Sequence, residues 1–301
     1  MTAAPVASLR AVPAKRRSLL LVAALATCLG AGATAWAIAA GAPAGAPPAK
    51  STAPSPTAPK PPPKPLPPPY PPRAAIAAAV HYLDGRTGRT SLAVVDSSGR
   101  LSGIRLRAHF QSASIVKVMF LTAFLQRLHA DRRGVSALDR SLLYPMIHES
   151  DNDAASAVLD RVGRAAVARV AREAGMRDYA PGVGWWAFTQ TSAADQARFF
   201  IAIERLIPRA FWPYARGLLA GIEPEQSWGV PEVARPRWQV FFKTGALPSE
   251  GLFNETARLE RPGVTFTVSV FSTGGPSQAY GEETMRGVGE RLLAGAPPRS
   301  R

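Results

Sequence analysis

The sequence predicts an α/β (α+β) domain. One antiparallel sheet is built from both ends of the domain and flanked by terminal helices, with an all-helical subdomain inserted between its strands. Three observations carry this. Strand-like segments fall into two groups, 91–106 and 238–271, with only helical patterns between them. In the second group Val264, Phe266, Val268 and Val270 alternate with Thr265, Thr267 and Ser269, a period-two strand with one buried face. A helical pattern stands at each end, over 74–83 and 281–293. Such an order implies two packed parts, with the expected site in the cleft between them.

The domain begins only after residue 73. The first 73 of the 301 residues carry eight Lys or Arg and no acid, from totals of 36 basic and 21 acidic residues. Residues 74–301 therefore hold 28 basic and 21 acidic, a net +7 rather than the +15 of the whole chain. That balance is no argument for nucleic acid as a partner. Residues 1–17 form a basic n-region ending in Lys15-Arg16-Arg17, and 18–40 are apolar and uncharged. At 23 residues this stretch is long enough to span a bilayer with its basic flank inside. Ala37 and Ala39 also offer an A-x-A-like cleavage site, so a cleaved signal and a secreted product is the alternative. Cys28, the single cysteine, lies within it, so residues 74–301 have no disulfide and no thiolate metal site.

Residues 41–73 hold 15 prolines, which fix φ and remove donors. A solvated polyproline II linker is expected, reaching about 100 Å at ~3.1 Å per residue. The expected address is the cell membrane, with an N-terminal anchor and an extracytoplasmic domain that acts as a monomer.

Within the domain, the 74–83 helix ends at Asp84-Gly85, and strands over 91–96 and 101–106 meet at Ser97-Ser98-Gly99. Residues 114–130 have the apolar spacing of a buried helix. Helices over 153–162 and 164–174 are punctuated by Gly163 and Gly175, and Thr191-Ser192-Ala193-Ala194-Asp195 reads as a capping-box variant opening a helix to about Leu206. Strands follow over 238–242, 252–259 and 264–271, and the closing helix completes the domain.

Three short elements carry chemistry: Ser114-Ile115-Val116-Lys117, Ser150-Asp151-Asn152 and Lys243-Thr244-Gly245. Each alone is common. Composition adds an independent signal, because 26 of the 28 basic residues after position 73 are Arg, and the only two Lys are Lys117 and Lys243. Arginine is effectively never deprotonated, whereas a desolvated lysine can lose its proton and serve as a base. Asn152 is one of only two Asn in the chain. Three residues apart at a helix start, Ser114 and Lys117 are expected within hydrogen-bond reach. The N–H groups of Ser114 and Ala246 are candidates for an oxyanion hole, with Gly245 allowing close backbone approach. The bland alternatives are a helix cap at Ser114, another at Ser150-Asp151-Asn152, and a strand end at Lys243-Thr244-Gly245. No Gly-x-Ser-x-Gly elbow, phosphate loop or metal-ligand spacing of His81, His109, His129 and His148 competes with them.

In this order the three elements resemble the signature of class A β-lactamases and penicillin-binding proteins. The resemblance covers roughly 74–293 and implies the β-lactamase/transpeptidase-like fold and a serine hydrolase without cofactor or metal. It implies that Ser114 becomes acylated and that Lys117 is the base. Ser150 would relay a proton to the leaving nitrogen, and Asn152 would hold the substrate's side-chain amide. Lys243 and Thr244 would bind a substrate carboxylate and lower the proton affinity around Ser150, which makes Lys243 a catalytic residue with Ser114, Lys117 and Ser150. The substrate so implied is a β-lactam or a cell-wall peptide-like amide or ester.

Two departures matter. No Glu-x-x-Leu-Asn segment occurs between Asn152 and Lys243, and 179–190, with Trp185 and Trp186, contains no carboxylate in its place. The stretch from Ser114 to Ser150 is also short for a true β-lactamase. Acyl transfer is therefore expected over efficient antibiotic hydrolysis. The alternatives are a D,D-carboxypeptidase or penicillin-binding protein, and a catalytically weak wall-binding or regulatory protein that keeps the fold.

Overall fold

Pro72, extended and without an N–H, caps α1 (Arg73–Asp84), which buries Ile76, Ala79 and Leu83 along one stripe. The computed structural model describes residues 68–294. The segments 1–17 and 18–40, and the linker up to residue 67, lie outside the described residues, as do 295–301. Among the described residues no helix is long and apolar enough to cross a membrane.

After α1 the chain makes the hairpin of β1 (Arg89–Val95) and β2 (Leu101–Ile104). Its turn is tied by Asp96, whose carboxylate accepts from the N–H groups of Ser98 and Arg100 at 2.9 and 3.0 Å. Then come β3 (Phe110–Gln111), a 3₁₀ turn over Ala113–Val116, α2 (Lys117–Ala130), α3 (Ala137–His148), α4 (Asn152–Val162) and α5 (Arg164–Glu173). A short strand β4 (Gln190–Thr191) pairs with β3 and leads into α6 (Ala193–Leu206), α7 (Trp212–Ala220) and α8 (Val230–Ala234). The domain closes with β5 (Gln239–Leu247), β6 (Leu252–Arg261), β7 (Val264–Thr273) and α9 (Gln278–Leu293).

The main sheet has the order β2-β1-β7-β6-β5 and is antiparallel throughout. The first and last thirds of the domain are thus zipped together by β1 against β7, as the sequence predicts. One face is covered by α1, α8 and α9, the other by α6 and α7. One continuous apolar cluster runs from α1 through the sheet into α2, α4 and α5. β5 is an edge strand, so its outer edge is free of strand partners and faces the helical part.

Several expectations need correction. The helix expected over 114–130 is broken in two, because a 3₁₀ turn holds Ser114 and the α-helix opens only at Lys117. β7 is not half-buried. As a central strand it is covered on both faces, and its polar positions are satisfied internally: Thr267 donates to the Ala197 carbonyl at 2.9 Å, and Ser269 pairs with Thr256 at 2.8 Å. The strand carrying Lys243 does not end there but runs on to Leu247. At α6, Ser192 caps the Asp195 N–H, but the Asp195 carboxylate turns instead to the N–H groups of Arg177 and Asp178. The capping box is only half made. The helix around Pro145, left without boundaries by the sequence, is α3, opened by a full capping box between Ser136 and Asp139.

Candidate active site

The three motifs converge where α2, the α3–α4 turn and β5 meet. Ser114 sits within the 3₁₀ turn, entered through Ala113 at φ 47°. Ser150 also has positive φ, at 59°. Non-glycine residues in this region cost on the order of 1–3 kcal/mol each, so the surrounding packing must enforce both conformations. At Ser150 the enforcement is local. The Glu149 and Asp151 N–H groups both donate to the Pro145 carbonyl, and the Asp151 carboxylate caps α4 through the Ala154 N–H at 2.6 Å. Asp151 is thus the helix cap, which frees Ser150 and Asn152 to face Lys117.

Lys117 is fully buried at the start of α2. Its amine lies 3.1 Å from Ser150 Oγ and 2.9 Å from Asn152 Oδ1, and it donates to the Ser150 carbonyl. These bonds all go to the Ser150–Asn152 turn and none to Ser114, the partner its spacing predicts. Trp186, from the loop before β4, lies under the amine, 5.0 Å from ring centroid to Nζ. It is fixed by its indole N–H donating to Ser156 Oγ at 3.0 Å and by edge packing on Phe120.

Burial pushes the Lys117 pKa down to about 7, with the Asp151 charge opposing the shift. A neutral amine has two N–H groups and one lone pair. The carbonyl and amide oxygens can only accept, so the lone pair is left for a hydroxyl, and Ser150 Oγ is the one in reach.

Lys243 and Thr244 lie side by side in β5. Lys243 is fully buried, and its Nζ donates to Gln226 Oε1 at 3.0 Å. Burial holds its pKa well below the usual lysine range, the neighbouring Lys117 adds to this, and Glu223 opposes it. Thr244 Oγ1 donates to the Gln226 carbonyl at 3.3 Å. At Gly245 an added Cβ would stand 2.8 Å from Ser114 N and 3.0 Å from Ser112 O. Both are backbone atoms that cannot yield without moving β5 or the turn. Glycine is required here by close approach, and this approach brings the Ser114 turn against the strand that carries Ala246. We expect Gly245→Ala to separate the two N–H donors and to slow acylation of Ser114 by roughly 10²-fold. Stopped-flow labelling beside a circular-dichroism melt checks it.

The remaining candidates fall elsewhere. Glu173 is on the outside of α5, paired with Arg169 and accepting from Gln126. His148 stacks on Tyr144 and its Nδ1 contacts the Gly221 carbonyl, so it does not serve Ser150. Among the described residues no cluster of His, Cys, Asp or Glu could hold a metal. Two residues at the site escaped the sequence reading. Trp186 lies in a loop whose sequence shows only the lack of a carboxylate, and Gln226, in a Pro-Glu-Gln 3₁₀ turn, carries no motif at all.

The fold is shared with known proteins. The structure is similar to the β-lactamase of Sphaerobacter thermophilus, with a TM-score of 0.65 and 21% identity over 75% of this chain and 98% of that one. It is similar also to a class A β-lactamase representative from Bacteroides cellulosilyticus, with a TM-score of 0.66 and 14% identity over 75% and 98%. An ancestral class A β-lactamase gives a TM-score of 0.65 and 20% identity over 74% and 100%. At these identities the likeness shows the fold, that of class A β-lactamases. No curated protein matches the sequence. A model described as the β-lactamase enzyme family matches residues 131–295, which include Ser150, Asn152 and Lys243 and begin after Lys117. With more than half of its length matched and the class A fold around it, the chain belongs to the β-lactamase enzyme family, as a hydrolase related to the class A enzymes.

Proposed function

We propose that this hydrolase works through an acyl-enzyme on Ser114, on a β-lactam or a cell-wall peptide-like amide or ester. The observation that carries the reading is Lys117: a buried amine with a pKa near 7, hydrogen-bonded to Ser150 Oγ beside the Ser114 turn. Ser114 Oγ attacks the acyl carbon, and its proton passes by way of the Ser150 hydroxyl to the Lys117 amine, whose lone pair is left for that hydroxyl. The oxyanion is held by the N–H groups of Ser114 and Ala246. On collapse the carbon–nitrogen or carbon–oxygen bond breaks, and the proton returns through Ser150 to the leaving atom. Asn152 both orients Lys117 and presents its amide to the acyl side chain.

A second reading, a penicillin-binding protein that acylates and scarcely turns over, is favoured by one observation. The loop under Lys117 presents Trp186 where a water-activating carboxylate would be needed. In either reading, the apolar stretch 18–40 and the proline-rich 41–73 support a membrane-tethered, extracytoplasmic domain.

The test is the pH dependence of Ser114 labelling by a neutral acylating probe. Only the unprotonated amine accepts a proton, so the rate falls as pH drops through the folded pKa. With a pKa of about 7, labelling should rise about tenfold from pH 6 to pH 8 and then level off. A flat profile over that range, or a rise continuing towards the pKa of an ordinary lysine, would reject Lys117 as the base.

A further inference from the structure

In the family resemblance, Lys243 and Thr244 are the groups that receive a substrate carboxylate. Here both are already taken by one residue. Gln226 gives its side-chain oxygen to Lys243 Nζ at 3.0 Å and its main-chain oxygen to Thr244 Oγ1 at 3.3 Å. Its amide nitrogen is also fully used, donating to the Glu149 carbonyl at 2.6 Å and to Glu223 Oε1 at 2.7 Å. Gln226 therefore bridges the residue before Ser150, on the helical side, to the strand that carries Lys243. The turn that bears it is itself pinned, with the Glu223 N–H on the His148 carbonyl and Ser227 Oγ on the Glu223 carbonyl. Behind this bridge no part of Lys243 reaches solvent.

The charge in this corner also opposes an anion. The cation that would meet a carboxylate is buried, and that burial holds its pKa well below the usual lysine range. The carboxylate that acts on Lys243, Glu223, is hydrogen-bonded to the amide that occupies the site. An incoming carboxylate would have to break the Gln226 bridge and then lie beside Glu223, like charge against like. A neutral amide or ester needs no such exchange, because it can leave Gln226 in place.

We propose that Gln226 is a specificity-determining residue, which makes the Lys243–Thr244 corner select substrates bearing a neutral group there over substrates bearing a carboxylate. This rests on the acyl-enzyme reading of Ser114 and names the substrate class it serves: wall-peptide or lactam derivatives whose terminal acid is amidated or esterified.

A matched pair of ligands tests it. Benzylpenicillin and its methyl ester share the reactive ring and differ at the carboxylate. The rate at which each adds mass to the purified domain is read by intact-mass spectrometry, beside labelling by a neutral fluorophosphonate. The wild type is expected to react at least tenfold faster with the ester than with the acid. In Gln226→Ala the ester-to-acid ratio should fall at least tenfold, and in Gln226→Glu, which sets an anion on Lys243, it should stay at or above the wild-type value. An acid that reacts as fast as its ester in the wild type, or a ratio unchanged in Gln226→Ala, would overturn the inference. So would fluorophosphonate labelling of Ser114 with no reaction of either penicillin form. Absence of fluorophosphonate labelling would instead mark failure of the acyl-enzyme reading, and the inference would fall with it.

Discussion

Replacing Lys117 by Arg is expected to reduce acylation of Ser114 by about 10²–10⁴-fold, the contribution of a positioned base, or roughly 3–5 kcal/mol of barrier. The guanidinium keeps the positive charge and can still donate to the Ser150 carbonyl and Asn152 Oδ1, but it has no lone pair to accept a proton. Lys117 is fully buried, so the larger head group also strains the Ser150–Asn152 turn. Lys117→Met separates these effects, since it matches the stem and carries neither charge nor base. Both variants should lose labelling, measured as adduct formation per minute. A methionine variant that retains wild-type labelling would show that Lys117 is only packing.

The second large effect is on deacylation. In the proposed scheme acylation has all its parts, but hydrolysis of the adduct needs a water on the acyl carbonyl and a group to take its proton. The loop that passes under Lys117 presents Trp186 to the amine, and the nearby carboxylates are engaged elsewhere: Asp178 with Arg107 and Ser192, Asp195 with the Arg177 and Asp178 N–H groups, and Glu173 on the outside of α5 with Arg169. Lacking that base, a lactam adduct, whose leaving nitrogen stays tethered, should deacylate roughly 10²–10⁴-fold more slowly than one with a positioned base. After long incubation with excess penicillin, intact-mass spectra should show one adduct persisting for many minutes after the free drug is removed. Multiple-turnover hydrolysis with no accumulating adduct would contradict this and require another water activator.

How legible the site was depended on whether chemistry or only local conformation chose the residue. Lys117 and Lys243 stand out because a domain that uses Arg almost everywhere else keeps lysine only at these two positions, and both are buried. The sheet was legible because strands sort to the two ends of the domain, and β1 and β7 do pair. What the sequence did not reveal depends on tertiary context. Nothing local shows that Thr267 and Ser269 are buried, since each finds its partner on another element. Helix α3 keeps Pro145 within its last turns, which masked its boundaries, although its capping box at Ser136 and Asp139 is a short-range signal that could have been read. Gln226 has its role only because its turn is folded back between Glu149 and Lys243, a contact over 17 residues on one side and 77 on the other.

The proposed acyl-enzyme requires Ser114 Oγ as the acylated atom. Reaction of the purified domain with a neutral fluorophosphonate, followed by digestion and peptide sequencing by mass spectrometry, locates the adduct directly. The account predicts one modification, on Ser114, absent from Ser114→Ala and slowed in Lys117→Met. Adduct on Ser150 or another hydroxyl, or undiminished labelling of Ser114→Ala, would contradict it.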